Sequence, residues 1–186
     1  MDTFEYLSVL ISVVIGLGVV HILQGVGRVI SLPKLPKLYW IHTVWVVQSL
    51  LFLFYFWWFQ LGYRGTVEWT SALFAFVLFY AIALYLQCAI IVPDTPQPDY
   101  EKYFHDKARW FYATVLLVLA LDGVDTHLKP EGVGLGVSVI GTVVMRSGFA
   151  ALLLLAMYTK KRWYHGLIAL IWFVIAAGSL LGRPEP

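Results

Sequence analysis

The sequence predicts an all-α integral membrane protein, a six-transmembrane-helix bundle with short loops and glycine-rich first and fifth helices. Three observations lead there. Of the 186 residues, 60% are hydrophobic and 13% charged, with a mean hydropathy of +0.78, whereas about a quarter of the residues of a soluble domain are charged. Six apolar runs, at about 4–30, 38–62, 69–92, 110–126, 133–158 and 163–181, approach the roughly 20 residues needed to cross a hydrocarbon core. Between them stand helix breakers: Pro33 and Pro36, Gly62 and Gly65, Pro93, Pro96 and Pro98, and Pro130. The chain is accordingly read as a single transmembrane domain, 1–186.

The first run is thinned by Gly16, Gly18, Gly25 and Gly27. On helical spacing Gly18 and Gly25 share one face, and Gly16 and Gly27 another. Lipid provides no hydrophobic push between helices, so small residues mark where backbones approach. Two such faces predict a central helix with neighbours on both sides. Asp2 and Glu5 precede the run in place of a basic region, and no small-residue cleavage site follows, so the run is expected to stay in the mature chain.

The second run places His42, Trp45, Gln48, Ser49, Phe52, Tyr55, Phe56 and Phe59 on one broad helical stripe, which should face protein. In the third, Tyr80, Ala83, Leu84 and Gln87 share a face. The polar stretch from Pro93 to Arg109 opens with prolines. It then repeats Tyr100, Tyr103, Phe104, Lys107 and Ala108 at helical intervals, which predicts a short interfacial helix before a short fourth span. The fifth run has a small-residue seam at Gly134, Ser138, Gly141 and Gly148, with Gly132 and Gly136 as a further pair. The sixth sets Gly166, Ala169, Phe173 and Ala176 on one face.

With six crossings, Arg28, Lys34, Lys37, Lys102, Lys107, Arg109, Lys160, Lys161 and Arg162 fall on one side, against Arg64, Lys129 and Arg183 on the other. The positive-inside rule makes the first side cytoplasmic and puts both termini outside. An integral membrane location of bacterial inner-membrane type is expected.

Arg146 is the residue that asks most of its surroundings. A guanidinium at bilayer depth is costly and stays charged, so it must face protein, water or a ligand. Asp122 is the one acid within plausible range, although counting from Pro130 separates the two by about 12 Å in depth. His21, Gln24, Gln48 and Gln87 are expected at similar depth on inward faces, so that with Arg146 and Asp122 they would line a pathway or ligand pocket. Asp122, Asp125 and His127 gather oxygen and imidazole ligands that could hold a divalent cation. His21, His42 and His165 lie in the cytoplasmic half, where two of them could ligate a b-type haem.

No cofactor is otherwise expected. The lone Cys88 excludes an internal disulfide and a cysteine zinc site. A net charge of +2 spread over segment ends speaks against nucleic acid, and no hydrolase motif occurs. The leading expectation is an oligomeric channel or transporter for a small ion or anionic solute. The alternative is a structural or accessory subunit docking on a larger membrane complex, and the third is a haem electron-transfer protein. The expected partners are the lipid bilayer and either further copies of the chain or a membrane-protein complex.

Overall fold

The computed structural model describes residues 3–64, 68–129 and 139–181. These form six α-helices and no sheet: α1 (Thr3–Ile30), α2 (Trp40–Phe59) running into a 3-10 turn (Gln60–Tyr63), α3 (Ser71–Ile91), α4 (Tyr100–Leu128), α5 (Val139–Ala156) and α6 (Arg162–Leu181). α1 to α4 are long and apolar enough to span a membrane. The apolar parts of α5 and α6 among the described residues, Val143–Ala156 and Arg162–Ile175, are shorter. The predicted seam residues Gly132, Gly134, Gly136 and Ser138 lie outside the described residues, as does the start of the predicted fifth span.

The hub of the bundle is α3, which packs against α1, α2 and α4. This corrects the expectation for α1. Only 22% of its apolar window is buried, against 44% for α3, because just one of its two glycine faces meets a neighbour. A Cβ on Gly18 would lie 3.1 Å from Leu53 Cδ1, and one on Gly25 would overlap Val92 Cγ1, while one on Gly16 or Gly27 would meet nothing within 4 Å among the described residues. The Val9, Val13, Leu17, Val20 and Leu23 side of α1 is exposed and suits lipid.

The aromatic stripe of α2 does face protein. His42, Trp45, Gln48, Ser49 and Phe56 are buried, and Phe52, Tyr55 and Phe59 are half-buried. Trp45 packs edge-on to Phe111 of α4 at 5.0 Å between ring centres.

The fourth span differs from its prediction. The interfacial helix and the short span are one 29-residue helix, about 43 Å long. It starts on Asp99, whose Oδ1 accepts the Glu101 and Lys102 amides at 2.9 and 3.0 Å, an N-cap that satisfies the free donors of a first turn. Tyr100, Phe104 and Ala108 are buried, so their periodicity marks a core face of α4 and not a lipid-lying surface. The adjoining loops are tied together. Lys37 exchanges backbone hydrogen bonds with Pro98 and Tyr100, and its Nζ reaches Asp99 at 2.9 Å and Glu101 at 3.1 Å.

Candidate functional site

The second half of α4 carries Asp122, Asp125, Thr126 and Lys129 at spacings of three and four, which stacks them along one side of the helix. Arg146 of α5 donates through Nη2 to Asp122 Oδ2 at 2.7 Å and to Thr126 Oγ1 at 2.9 Å. The Thr126 hydroxyl in turn donates to the Asp122 backbone carbonyl at 2.7 Å. From α3, the Tyr80 hydroxyl reaches Asp122 Oδ1 at 3.4 Å. Gly123 leaves room beside the guanidinium, since a Cβ there would stand 3.6 Å from Arg146 Nη1. The pair is partly enclosed, with 16% of the Arg146 side chain and 31% of the Asp122 side chain exposed.

One turn further on, Asp125 accepts from the Tyr63 hydroxyl at 2.9 Å and pairs with Lys129. The Lys129 ammonium lies 4.9 Å from the Tyr63 ring centre. Two carboxylates and two cations thus form a charge-neutral layer across α3, α4, α5 and the turn after α2.

Arg146 and Asp122 meet although depth counted from Pro130 separates them. From the described helix ends, Asp122 lies six residues before Leu128 and Arg146 seven after Val139, or about 9 and 10 Å along the two axes. Asp125, by contrast, turns from His127, which is exposed. Residues two apart on a helix point in nearly opposite directions, and among the described residues no three His, Cys, Asp or Glu side chains are grouped to hold a metal ion.

A second polar cluster closes the far end of α3. Here the chain breaks at Pro93, and the last carbonyls of the helix have no partner within it. Each of four successive carbonyls receives a side chain from elsewhere. Tyr103 Oη donates to Ile90 O at 2.8 Å, His42 Nε2 to Ile91 O at 2.8 Å and His21 Nε2 to Val92 O at 2.9 Å, while Arg28 Nη2 approaches Pro93 O at 3.4 Å.

The predicted convergence of polar groups therefore does not form. Tyr80, beside Asp122 and Arg146, and Val92, beside His21, stand about 18 Å apart along α3. Gln48 donates to Ala169 O at 3.0 Å, joining α2 to α6, and Gln87 donates to Ser49 Oγ at 3.1 Å. Gln24 is exposed. Of the three haem candidates, His21 and His42 spend Nε2 on the carbonyls above. His165 faces Thr159 O through Nε2 and the Tyr112 hydroxyl through Nδ1, both at 2.8 Å.

Tyr63, Tyr80, Thr126 and Lys129 join the charged layer without being among the predicted site residues. The spacing of Asp122 to Thr126 and of Asp125 to Lys129, each i to i+4, was the readable signal. Fold and site together define a small all-helical protein with apolar helices of membrane-spanning length. Comparison with protein-family models, with curated proteins and with solved structures finds no match to this chain.

Proposed function

We propose that this chain is a six-span membrane transporter that moves a small anion together with a proton, with the Arg146–Asp122 pair as the exchange site. The observation that carries the reading is that pair, held at 2.7 Å between α4 and α5 with the carboxylate still 31% exposed. A guanidinium in a low-dielectric site needs a counter-charge. When a proton neutralises Asp122, Arg146 loses its partner and a solute anion takes its place on the guanidinium. When the anion leaves, Asp122 releases the proton and pairs again. The site is neutral in both states, so proton and anion travel together. The distribution of Lys and Arg supports termini on the outside, with the site toward the outer side.

The test is proton movement into liposomes holding the purified protein and a pH-sensitive dye, driven by an inward gradient of chloride or nitrate. Proton entry above that of empty vesicles is expected. Arg146→Gln should abolish it, and Asp122→Asn should leave anion flux that no longer carries protons. Wild-type vesicles indistinguishable from empty ones for both anions would overturn the reading.

A second reading, a subunit that docks on another membrane helix, is favoured by the open Gly16 and Gly27 face of α1. It predicts that Gly16→Leu or Gly27→Leu lowers the native mass of the particle extracted from membranes.

A further inference from the structure

The start of α6 concentrates positive charge where a helix tolerates it least. Lys160, Lys161 and Arg162 follow one another and are all exposed, and no acid stands in the first turn of α6. The N-terminal end of a helix carries about half a positive charge of its own, so cations there are repelled and anions attracted. Internal neutralisation is slight. Glu101 reaches Arg162 at 3.8 Å, but it also serves Lys37 at 3.1 Å. The Arg162 guanidinium otherwise lies over the Tyr39 ring, 5.3 Å from its centre. Lys160 and Lys161 make no ion pair among the described residues.

Two of these cations, Lys161 and Arg162, line a groove of about 770 Å³ between the beginnings of α2 and α6. Lys161 and Arg162 supply its basic lining, and Trp40, Trp163, Gly166, Leu167 and Leu170 its apolar lining. Gly166 makes the groove possible. The Trp40 ring would lie 3.0 Å from a Cβ at that position, so any larger residue would push the indole outward across the opening. Trp40, Leu167 and Leu170 are 45%, 46% and 51% exposed. The indole stands at the boundary between the basic rim and the apolar run, as tryptophan does at membrane interfaces.

We propose that this groove is a binding site for one anionic phospholipid, its phosphate held by Lys161 and Arg162 and one acyl chain lying along Gly166, Leu167 and Leu170 beside Trp40. A basic end that Glu101 meets only at Arg162 and at 3.8 Å, joined to an apolar groove, matches the two parts of such a molecule. A soluble anion would leave the apolar length unused, and a neutral lipid would leave Lys161 without a counter-charge. The site is independent of the exchange reading. Glu101, which marks the Arg162 end of α4, and Asp122 are about 30 Å apart along that helix.

The experiment is native mass spectrometry of the full chain released from nanodiscs of equimolar phosphatidylcholine and phosphatidylglycerol. Wild type should retain one phosphatidylglycerol in preference to phosphatidylcholine. In Lys161→Gln/Arg162→Gln that retention should fall by roughly twenty-five-fold, about a factor of five for each cation near the headgroup. Gly166→Leu should also lose the lipid while the rim charges stay in place. Lys34→Gln/Lys107→Gln removes the same charge from the loop after α1 and from α4 and should retain it. Equal retention of the two lipids by wild type, or an equal loss in both double variants, would overturn the site. So would displacement of phosphatidylglycerol by inorganic phosphate alone, which would show that the acyl chain contributes nothing.

Discussion

His21 of α1 and His42 of α2 donate to adjacent carbonyls, Val92 and Ile91, at the end of α3. Because the acceptors are carbonyls, each ring must carry its proton on Nε2. With Tyr103 from α4, the two histidines make the end of the hub helix a joint of four helices. A carbonyl buried without water or partner costs about 1–3 kcal/mol, and a lipid surround raises the demand for internal satisfaction. The joint is thus a packing device built from residues that a sequence reading associates with ligands.

His42→Phe keeps an aromatic ring against Tyr100 but removes the donor to Ile91, and it is expected to cost about 1–3 kcal/mol. His21→Ala should cost less, since that ring is half-buried. The double variant should cost less than the sum, because both rings serve one turn of α3. Reversible unfolding in detergent measures all three. Strict additivity would show that the two bonds are separate.

The glycines of α1 divide by environment and not by type. Gly25→Ala is expected to destabilise strongly, by about 1–3 kcal/mol as for other overpacked sites, because Val92 Cγ1 occupies the space and Val92 also carries the bond to His21. Gly18→Ala should be milder, the obstacle being the end of the Leu53 side chain. Gly16→Ala and Gly27→Ala meet open space and should be neutral or stabilising by up to about 1 kcal/mol through helix propensity. Thermal unfolding of the four variants in one detergent orders them.

Helices were legible because apolar runs and proline breaks are local properties. The seam at Gly18 and Gly25 and the buried stripe on α2 were legible for the same reason, since periodicity reports which residues share a face. It does not report what lies opposite. Gly16 and Gly27 look like a second seam, yet they face nothing among the described residues, and Tyr100 with Phe104 suits either a lipid surface or a core. Depth arithmetic from Pro130 misjudged Arg146 and Asp122 for a related reason, since the helix ends that set the count are tertiary facts. The fate of His21, His42, Gln48 and Gln87 was the least readable. Each satisfies a backbone or side-chain group on another helix, and sequence does not reveal which carbonyls a break such as Pro93 leaves unpaired.

The Arg146–Asp122 pair predicts asymmetric stability losses. Arg146→Gln or Asp122→Asn alone leaves one charge without its counterpart and is expected to cost about 2–3 kcal/mol. That is below the 3–5 kcal/mol of a fully buried pair, because the Asp122 side chain is 31% exposed. Arg146→Met/Asp122→Leu removes both charges and should be closer to wild type than either single variant. Chemical denaturation followed by helicity checks the order. A double variant as unstable as the sum of the singles would mean that Thr126 and Tyr80 hold the layer together without the charges.

The loop junction at Lys37 and Asp99 predicts a definite pH profile. The Asp99 carboxyl is held below the ordinary carboxylate range, first by the Lys102 amide and then by the Lys37 ammonium. Lys37 is raised above the ordinary lysine value by its hydrogen bonds to Asp99 and Glu101. A depressed acid stabilises the folded chain above its unfolded pKa and loses that contribution as pH falls through the folded value. A raised base stabilises below its unfolded pKa and loses the contribution as pH rises through the folded one. The junction's contribution should therefore be flat from about pH 5 to about pH 9, shrink below about pH 4, and shrink again above about pH 10.4. Both groups are solvent-exposed, so the amplitude is small and reduced by salt. Asp99→Asn keeps an oxygen to cap α4 and removes the charge. The difference in Tm between wild type and this variant should be constant across the plateau and vanish at the acid limb. A difference that persists there would show that the carboxylate's charge is not the source of the stabilisation.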